Sequence, residues 1–175
     1  SDGTVAIGVS ALASLTSGAG NVAIGYQAML TNIDGGYNTA VGYEALYTFE
    51  ADALNHGYNT TVGYRSGKFI STGTSNTFFG AVAGVGITGT PLTGNFNTAL
   101  GESAGLELEG VAHSNTFVGC LSGSTTEAGI ENTCIGYMAL AEDDTATNQI
   151  VIGNNVTGTA DNAVHIGNDS NHLYT

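Results

Sequence analysis

The chain has 175 residues, of which 42% are hydrophobic and only 10% are charged, and its formal net charge is −13. Its two cations, Arg65 and Lys68, face fifteen carboxylates, which excludes nucleic-acid binding because phosphate contacts require Lys and Arg. The same imbalance disfavours anionic membrane surfaces. No run of 18 apolar residues is present that would predict insertion into a membrane.

Ten glycines recur in one register along the chain and define the predicted elements in order. Most of them are separated by one common interval, as Gly25 and Gly42 are, but the interval is longer before Gly63, Gly101 and Gly119 and shorter before Gly167. Self-similarity at a period of about 17 residues predicts a solenoid in which each repeat forms one rung. The repeat glycines are Gly8, Gly25, Gly42, Gly63, Gly80, Gly101, Gly119, Gly136, Gly153 and Gly167.

Each rung is predicted to contain a short strand that ends at its glycine. The residue before the glycine is large and apolar, and the residue two positions before that is β-branched, as in Val41 and Thr39. Alternate residues share a strand face and β-branched residues favour strands, so we expect both positions to face the rung interior. The residue three after the glycine is small in nine of ten rungs, as at Ala45, which predicts a narrow interior.

The glycine is interpreted as a bend between two short strands, since glycine adopts positive φ at the lowest cost. A rung of about 17 residues accommodates two strands of three to five residues and a loop. Asn precedes the glycine by four residues in seven rungs, and stacked amides can form a hydrogen-bonded ladder. The period of two and the many glycines argue against helices. The predicted fold is all-β, a parallel β-solenoid of about ten rungs.

Two rungs carry four extra residues each, those that end at Gly63 and Gly101. Within 1–147 the rungs have 17–21 residues, with longer loops at 47–57 and 85–94, and 148–175 forms shorter terminal rungs. Insertions in solenoids form loops on one face, often the binding face. Side chains in or beside these loops are therefore candidates for contact with a host-surface glycan or protein, and the alternative is a rim that binds nothing. The candidates are Tyr47, Phe49, His56, Tyr58 and Pro91.

The middle residue of each predicted strand points away from the predicted interior and is nevertheless mostly apolar. Strands that are apolar on both faces are covered on both faces, and identical subunits associate with closed symmetry. We therefore expect other copies of the chain to cover this second face in a homotrimer. The predicted interface residues are Ala40, Phe78, Phe117, Cys134, Val151 and His165.

Known catalytic and metal-binding motifs are missing from the sequence. There is no Gly-x-Ser-x-Gly, phosphate loop or His-Glu-x-x-His, and the acidic pairs lack the spacing of calcium loops. Two cysteines, Cys120 and Cys134, are too few for a zinc site or a disulfide scaffold. We predict a protein that is not an enzyme and that needs no metal or cofactor.

The segments Asn21-Val-Ala-Ile-Gly25 and Asn38-Thr-Ala-Val-Gly-Tyr-Glu-Ala-Leu46 resemble two related families. One is the head repeat of trimeric autotransporter adhesins, a left-handed trimeric β-roll with units such as Asn-Ser-Val-Ala-Ile-Gly. The other is the Asn-Thr-Ala-Ile-Gly-Tyr-x-Ala-Leu array of bacteriophage tail fibres. The resemblance covers nearly the whole chain and implies a left-handed, homotrimeric β-roll.

The repeat length favours the phage family, because the rungs of this chain are longer than the adhesin unit. The stretches 148–154 and 162–168 resemble the section before the self-cleaving chaperone of phage fibres and spikes, which implies a cleavage point near Thr175. The expected function is a structural, adhesive segment of a virion fibre, and the alternative is the head of a bacterial cell-surface adhesin. A third hypothesis, ice binding, is disfavoured because the threonine column from Thr39 to Thr133 is expected to face the interior, with one threonine per rung.

Overall fold

The computed structural model describes residues 3–51, 53–54 and 56–167. Ten strands of three residues each form one parallel sheet, in which the strand order follows the chain. No helix occurs in this described part of the chain. The strands are β1 (Val5–Ile7), β2 (Val22–Ile24), β3 (Thr39–Val41), β4 (Thr60–Val62), β5 (Thr77–Phe79), β6 (Thr98–Leu100), β7 (Thr116–Val118), β8 (Thr133–Ile135), β9 (Ile150–Ile152) and β10 (Val164–Ile166).

Successive strands pair in register, so each repeat position forms a column along the solenoid. Thr39, for example, pairs with Val22 in the preceding rung and with Thr60 in the following one. At about 4.8 Å per rung the ten strands span roughly 45 Å. The predicted parallel β-solenoid of about ten rungs is thereby confirmed. Its left-handed sense and its trimeric state stay predictions.

The interior of the solenoid is lined by the strand centres and not by the strand ends. Ala40 and Phe78 are fully buried within the single chain, whereas the strand-end side chain of Phe79 is 54% exposed. The expectation that the larger strand-end residues face the interior is therefore wrong. Four of the ten strand centres are Ala and two are Phe, so the thin, close-packed interior takes a single side chain from each strand and the paired strand-end residues lie outside.

The five residues after each repeat glycine from Gly8 to Gly153 run beside the strands without forming a second strand. Glu44 and Leu46 have φ of 52° and 51°, so residues with positive φ alternate with ordinary ones, which is incompatible with an extended strand. The rungs are still linked here, because the Glu44 amide donates to the Tyr26 carbonyl at 2.8 Å and the Leu46 amide to the Ser66 carbonyl at 3.0 Å. The expectation of two strands per rung is wrong.

The repeat glycines allow neighbouring turns to approach closely. Gly42 has a φ of 142°, and a Cβ at this position would lie 2.2 Å from the Gly63 carbonyl oxygen in the next rung. That distance is too short for any side chain. Both the backbone conformation and the tight stacking therefore require glycine.

A ladder of buried amide side chains runs along eight consecutive rungs, from that of β2 to that of β9. The Asn38 backbone amide and Nδ2 both donate to Asn21 Oδ1, at 3.0 and 3.1 Å. The backbone-amide bond recurs in every following rung up to Gln149, whose amide donates to Asn132 Oδ1 at 3.0 Å. The predicted ladder is confirmed, and it satisfies polar groups that lie out of reach of water. Its members are Asn21, Asn38, Asn59, Asn76, Asn97, Asn115, Asn132 and Gln149.

Candidate interaction surfaces

Most residues predicted to lie between chains are enclosed within one chain. The prediction is wrong for the five that are fully buried, because strand centres point inward and leave these side chains no surface for contact with another copy. They are Ala40, Phe78, Phe117, Cys134 and Val151. Burial raises the pKa of the Cys134 thiol to about 12, so this thiol acts as a small apolar packing group. His165, at the centre of β10, is partly exposed, and its Nε2 lies 3.2 Å from Thr159 Oγ1.

The strand-end side chains of β1–β10 form the exposed face of the sheet, here called the outer sheet face. Phe79 and Leu100 are 54% and 47% exposed there. None of the thirty strand residues is Asp, Glu, Lys or Arg, although the chain carries a net charge of −13. The outer sheet face is thus an extended, uncharged and largely apolar surface.

One column of the outer sheet face contains threonine in six consecutive rungs. These side chains were expected in the interior, but they occupy the first position of each strand and point outward, partly or fully exposed. Parallel, in-register pairing repeats the threonine hydroxyl and methyl groups at about 4.8 Å intervals. The column comprises Thr39, Thr60, Thr77, Thr98, Thr116 and Thr133.

A row of stacked tyrosines borders the outer sheet face. Tyr26, Tyr43 and Tyr64 follow the repeat glycines of three successive rungs, with ring centroids 5.0 and 5.5 Å apart. Because each ring lies against the ring of the next rung, both faces of Tyr43 are covered. Only the ring edge and the hydroxyl group of Tyr43 meet solvent, so this tyrosine can form hydrogen bonds with a ligand more readily than it can stack on one.

Both cations of the chain are bound to one carboxylate next to this row. Arg65 Nε lies 2.9 Å and Lys68 Nζ 2.6 Å from Glu44 Oε2. The Arg65 guanidinium carbon lies 5.0 Å from the centroid of the Tyr64 ring, within the range of a cation–π contact. Burial opposes ionisation of Glu44, but hydrogen bonds from Lys68 and Arg65 lower its pKa below 4.5. The cluster links the rungs of β3 and β4.

The five loop candidates do not form one exposed cluster. Phe49 is fully buried, so the expectation that it contacts a receptor is wrong. It lies seven residues after the repeat glycine, a position that also points inward at Ile70 and Leu108. Tyr47 is only partly exposed, and Lys68 Nζ lies 5.4 Å from the centroid of its ring.

The remaining loop candidates lie nearer the solvent. Tyr58 is 56% exposed and stacks on Tyr37, with ring centroids 5.4 Å apart. His56 is exposed and Pro91 is partly buried. Their role in binding stays a hypothesis. The structure places another exposed aromatic ring, Phe96, beside an open groove, and this residue was not predicted from the insertions.

The signal that could have identified Phe96 lies in the repeat itself. Phe96 is five residues before its glycine, the position that Tyr37 and Tyr58 occupy in their own rungs. All three have positive φ and are more than half exposed. Sequence columns, and not only insertions, therefore locate exposed aromatic rings in this chain.

Comparison with protein-family models, curated proteins and solved structures finds no match to this chain. Among residues 3–51, 53–54 and 56–167, no group of three His, Cys, Asp or Glu side chains is arranged to hold a metal ion. The same residues include no helix of the length and hydropathy that crossing a membrane requires. Thr175, near the expected cleavage point, lies outside the described residues. The surfaces described above are therefore the basis for assigning a function.

Proposed function

We propose that the chain is a structural segment of a fibre that assembles from copies of itself, and that the fibre is a phage tail fibre or related virion appendage that supports attachment to a host surface. The observation that carries this proposal is the outer sheet face, which leaves one side of a ten-stranded parallel sheet uncovered. Parallel sheets are ordinarily covered on both faces. Large apolar patches on a soluble protein are typical of interaction sites.

The chemistry of the outer sheet face favours a second copy of the same chain as its partner. Two chains that each carry a net charge of −13 repel each other over most of their surface. The thirty strand residues include no Asp, Glu, Lys or Arg, so electrostatic repulsion is weakest where these faces meet. Closed cyclic symmetry buries the face in every copy. The motif resemblance favours three copies.

The number of copies is tested by light scattering after size-exclusion chromatography. The expected mass is three times the 17.6 kDa of one chain. Leu100→Glu places a carboxylate in the middle of the outer sheet face, where assembly would bury it without a cation, and a buried unpaired charge opposes association strongly. We expect this variant to elute as a single chain that retains its β-type circular dichroism.

A matched control is Thr125→Glu, because Thr125 is exposed and lies outside the strands. This variant adds the same charge and should keep the trimeric mass. A wild-type protein with the mass of one chain would contradict self-assembly. If Leu100→Glu and Thr125→Glu behaved alike, the outer sheet face would not be the interface.

The head of a bacterial trimeric surface adhesin is the alternative within the same architecture. Both functions use a non-catalytic trimeric rod, and the motif resemblance extends to both families. The longer repeat favours the phage fibre. Sequencing the gene from which the chain derives distinguishes them, because a self-cleaving chaperone would support a virion fibre and a membrane anchor would support a cell-surface adhesin.

Ice binding is a second candidate function, and the outward threonine column favours it. Regular threonines on an exposed sheet offer repeated hydroxyl and methyl groups, and the column from Thr39 to Thr133 repeats them in six successive rungs. The adjacent column varies in size between Val62 and Phe79, so the surface is uneven. Thermal hysteresis measured on the wild type and on Thr98→Leu tests the idea. A trimer without thermal hysteresis leaves the fibre as the function.

A further inference from the structure

The column of residues five positions before the repeat glycine, here called the edge column, has one backbone conformation in successive rungs. The residues from Tyr37 to Ser114 in this column have φ between 57° and 61°. Hydrogen bonds keep them in register, since the Phe96 amide donates to the Thr74 carbonyl at 3.2 Å and the Ser114 amide to the Asn95 carbonyl at 3.0 Å. Their side chains therefore project at one-rung intervals. The edge column includes Tyr37, Tyr58, Ser75, Phe96 and Ser114.

The two tyrosine rings of the edge column stack on each other along the solenoid. Tyr37 and Tyr58 lie in consecutive rungs with an interplanar angle of 9°, so each ring presents one face to the next rung. Phe96 has a serine in the rung on either side, Ser75 and Ser114, and its side chain is 64% exposed. No aromatic ring of the edge column therefore stacks on Phe96 from either neighbouring rung. The buried faces of Tyr43 in the tyrosine row show the opposite arrangement.

A groove of about 440 Å³ opens on the Ser114 side of Phe96, a size within the range of small-ligand sites. Phe96 and Val111, which is 65% exposed, supply its apolar walls. Its polar groups include His113, whose Nδ1 lies 3.3 Å from Ser114 Oγ. Asn95 Oδ1 accepts a hydrogen bond from the Thr74 amide at 2.6 Å, and Asn95 Nδ2 has no partner among the described residues.

We propose that this groove binds one neutral pyranose residue of a glycan, with the C–H face of the sugar on the Phe96 ring and its hydroxyl groups on Asn95, His113 and Ser114. A saturated ring in contact with Phe96 lies about 4 Å away, close to the rise of one rung, about 4.8 Å. The sugar ring would therefore lie in the plane of the next rung, where the small side chain of Ser114 leaves space for it. This inference rests on the attachment role proposed above and names the class of ligand.

The charge distribution selects a neutral sugar over an acidic one. The groove is lined by no Lys or Arg, and the two cations of the chain are bound to Glu44 elsewhere. A carboxylated or sulfated sugar would enter the field of a chain with net charge −13 without a counter-charge. Hydroxyl groups need only the amide, imidazole and hydroxyl partners that the groove offers.

Saturation-transfer NMR and calorimetric titration of the full chain test the site. The probes are the methyl glycosides of glucose, galactose and mannose, with N-acetylneuraminic acid as the charged comparison. We expect saturable binding of at least one neutral glycoside and none of the acid. Phe96→Ser should weaken binding at least tenfold without unfolding, because Ser75 and Ser114 have the same positive φ at this position. Phe96→Tyr should retain binding.

Two further variants isolate the groove. Ser114→Phe should abolish binding while Phe96 stays in place, since its ring fills the space above Phe96. Tyr43→Ala should leave binding unchanged, because the tyrosine row offers no open ring face. The mass of each sample is measured by light scattering in the same experiment.

The outcomes separate this site from the fibre itself. Absence of binding by any neutral glycoside in a wild-type sample with the trimeric mass would overturn the sugar site and leave the fibre proposal intact. A change in mass on Phe96→Ser would show that the groove is a contact between copies, which also overturns it. Preferential binding of N-acetylneuraminic acid would overturn the assignment of a neutral ligand.

Discussion

The rungs of β3 and β5 fill the same narrow interior from opposite walls. In the β3 rung the strand centre is Ala40, and Leu46, four residues after the glycine, fills the space from the other side. In the β5 rung the strand centre is Phe78 and the position of Leu46 is taken by Gly84. A Cβ on Gly84 would lie 2.4 Å from the Phe78 ring. The large interior side chain therefore comes from the segment after the glycine in the β3 rung and from the strand in the β5 rung.

The β7 rung repeats the second arrangement. Phe117 is its strand centre, and a Cβ on Gly123 would lie 2.4 Å from the Phe117 ring. In-register stacking requires all rungs to have nearly the same width, so a larger residue on one wall demands a smaller one opposite. The volume of either column alone is therefore not conserved. In the β6 rung both positions are small, Ala99 and Gly105, and a Cβ on Gly105 would lie 3.0 Å from the Phe117 ring of the next rung, so interior space is also shared between neighbouring rungs.

The largest effect is expected from exchanging the walls of the β5 rung. Phe78→Ala removes a fully buried ring and should lower the free energy of unfolding by about 3–5 kcal/mol. Gly84→Leu should cost about 1–3 kcal/mol or more through overpacking against the ring. The double variant should recover about 2 kcal/mol relative to the sum of the two, because Leu46 already adopts a φ of 51° at the equivalent position. Urea unfolding at one fixed protein concentration measures all three.

The mirror-image exchange in the β3 rung is the matched control. Ala40→Phe combined with Leu46→Gly should behave like the double variant of the β5 rung, because it converts one rung type into the other. Strictly additive costs in both rungs would mean that the two walls do not share one volume, and the comparison between rung types would fail.

The fold was predictable from the sequence because its strands, glycines and amide ladder each recur at one register. The orientation of the strands was not. Alternation places Thr39 and Val41 on one face and Ala40 on the other, but it does not say which face is inside. The reciprocal exchange of Phe78 and Gly84 carries that information, since only residues that share an enclosed space must compensate in volume.

The candidate sites were less predictable, for a similar reason. Phe49 belongs to a lengthened rung and was expected at the surface, yet its position in the repeat is the inward one that Ile70 also occupies. Phe96 lies just beyond the second insertion, in the edge column. Repeat position decides whether these side chains meet water, and the length of the neighbouring loop does not.

The amide ladder is present in both rung types, so the same substitution in the β3 and β5 rungs shows whether the packing of the interior affects the ladder. Asn76→Ala leaves the Asn97 backbone amide and the Gly94 carbonyl without the partners they have at 2.9 and 3.1 Å. An unsatisfied buried group costs about 1–3 kcal/mol, so we expect a loss of roughly 2–4 kcal/mol in urea unfolding. Asn38→Ala, in the β3 rung, should cost a similar amount.

Thr77→Ala is the control for the ladder, since its side chain points outward and the change should cost less than about 1 kcal/mol. Equal costs at Asn38 and Asn76 would show that the ladder is insensitive to how the interior is filled. A much larger cost in only one rung type would tie the ladder to the packing of the core.

The smallest changes in the free energy of unfolding are expected at Glu44 and Glu50, two carboxylates of the β3 rung. The β5 rung has no equivalent of Glu44, because Val82 occupies that position. Burial opposes ionisation of Glu44, but Lys68 and Arg65 lower its pKa below 4.5. Its ionised form therefore contributes stability that is present above pH 4.5 and is lost as the pH falls through the lowered pKa. Glu44→Gln should cost about 1 kcal/mol at pH 7, with the difference from wild type fading in acid.

Glu50 should respond with the opposite sign. Burial raises its pKa above 4.5, and the nearby Asp34 carboxylate adds to the shift. Stability is therefore lost as the pH rises from 4.5 through the raised pKa, and Glu50→Gln should stabilise the protein by roughly 0.5 kcal/mol at pH 7, because an amide oxygen can still accept the Ile33 amide that Glu50 Oε2 accepts at 2.7 Å. Thermal unfolding of Glu44→Gln and Glu50→Gln between pH 3 and pH 7 measures how the stability of each variant changes with pH.

The Phe78 and Gly84 variants serve as the control, because the interior of their rung carries no titrating group. Their difference in stability from wild type should stay constant between pH 3 and pH 7. The same pH dependence in all four variants would mean that the two carboxylates and the interior do not act independently.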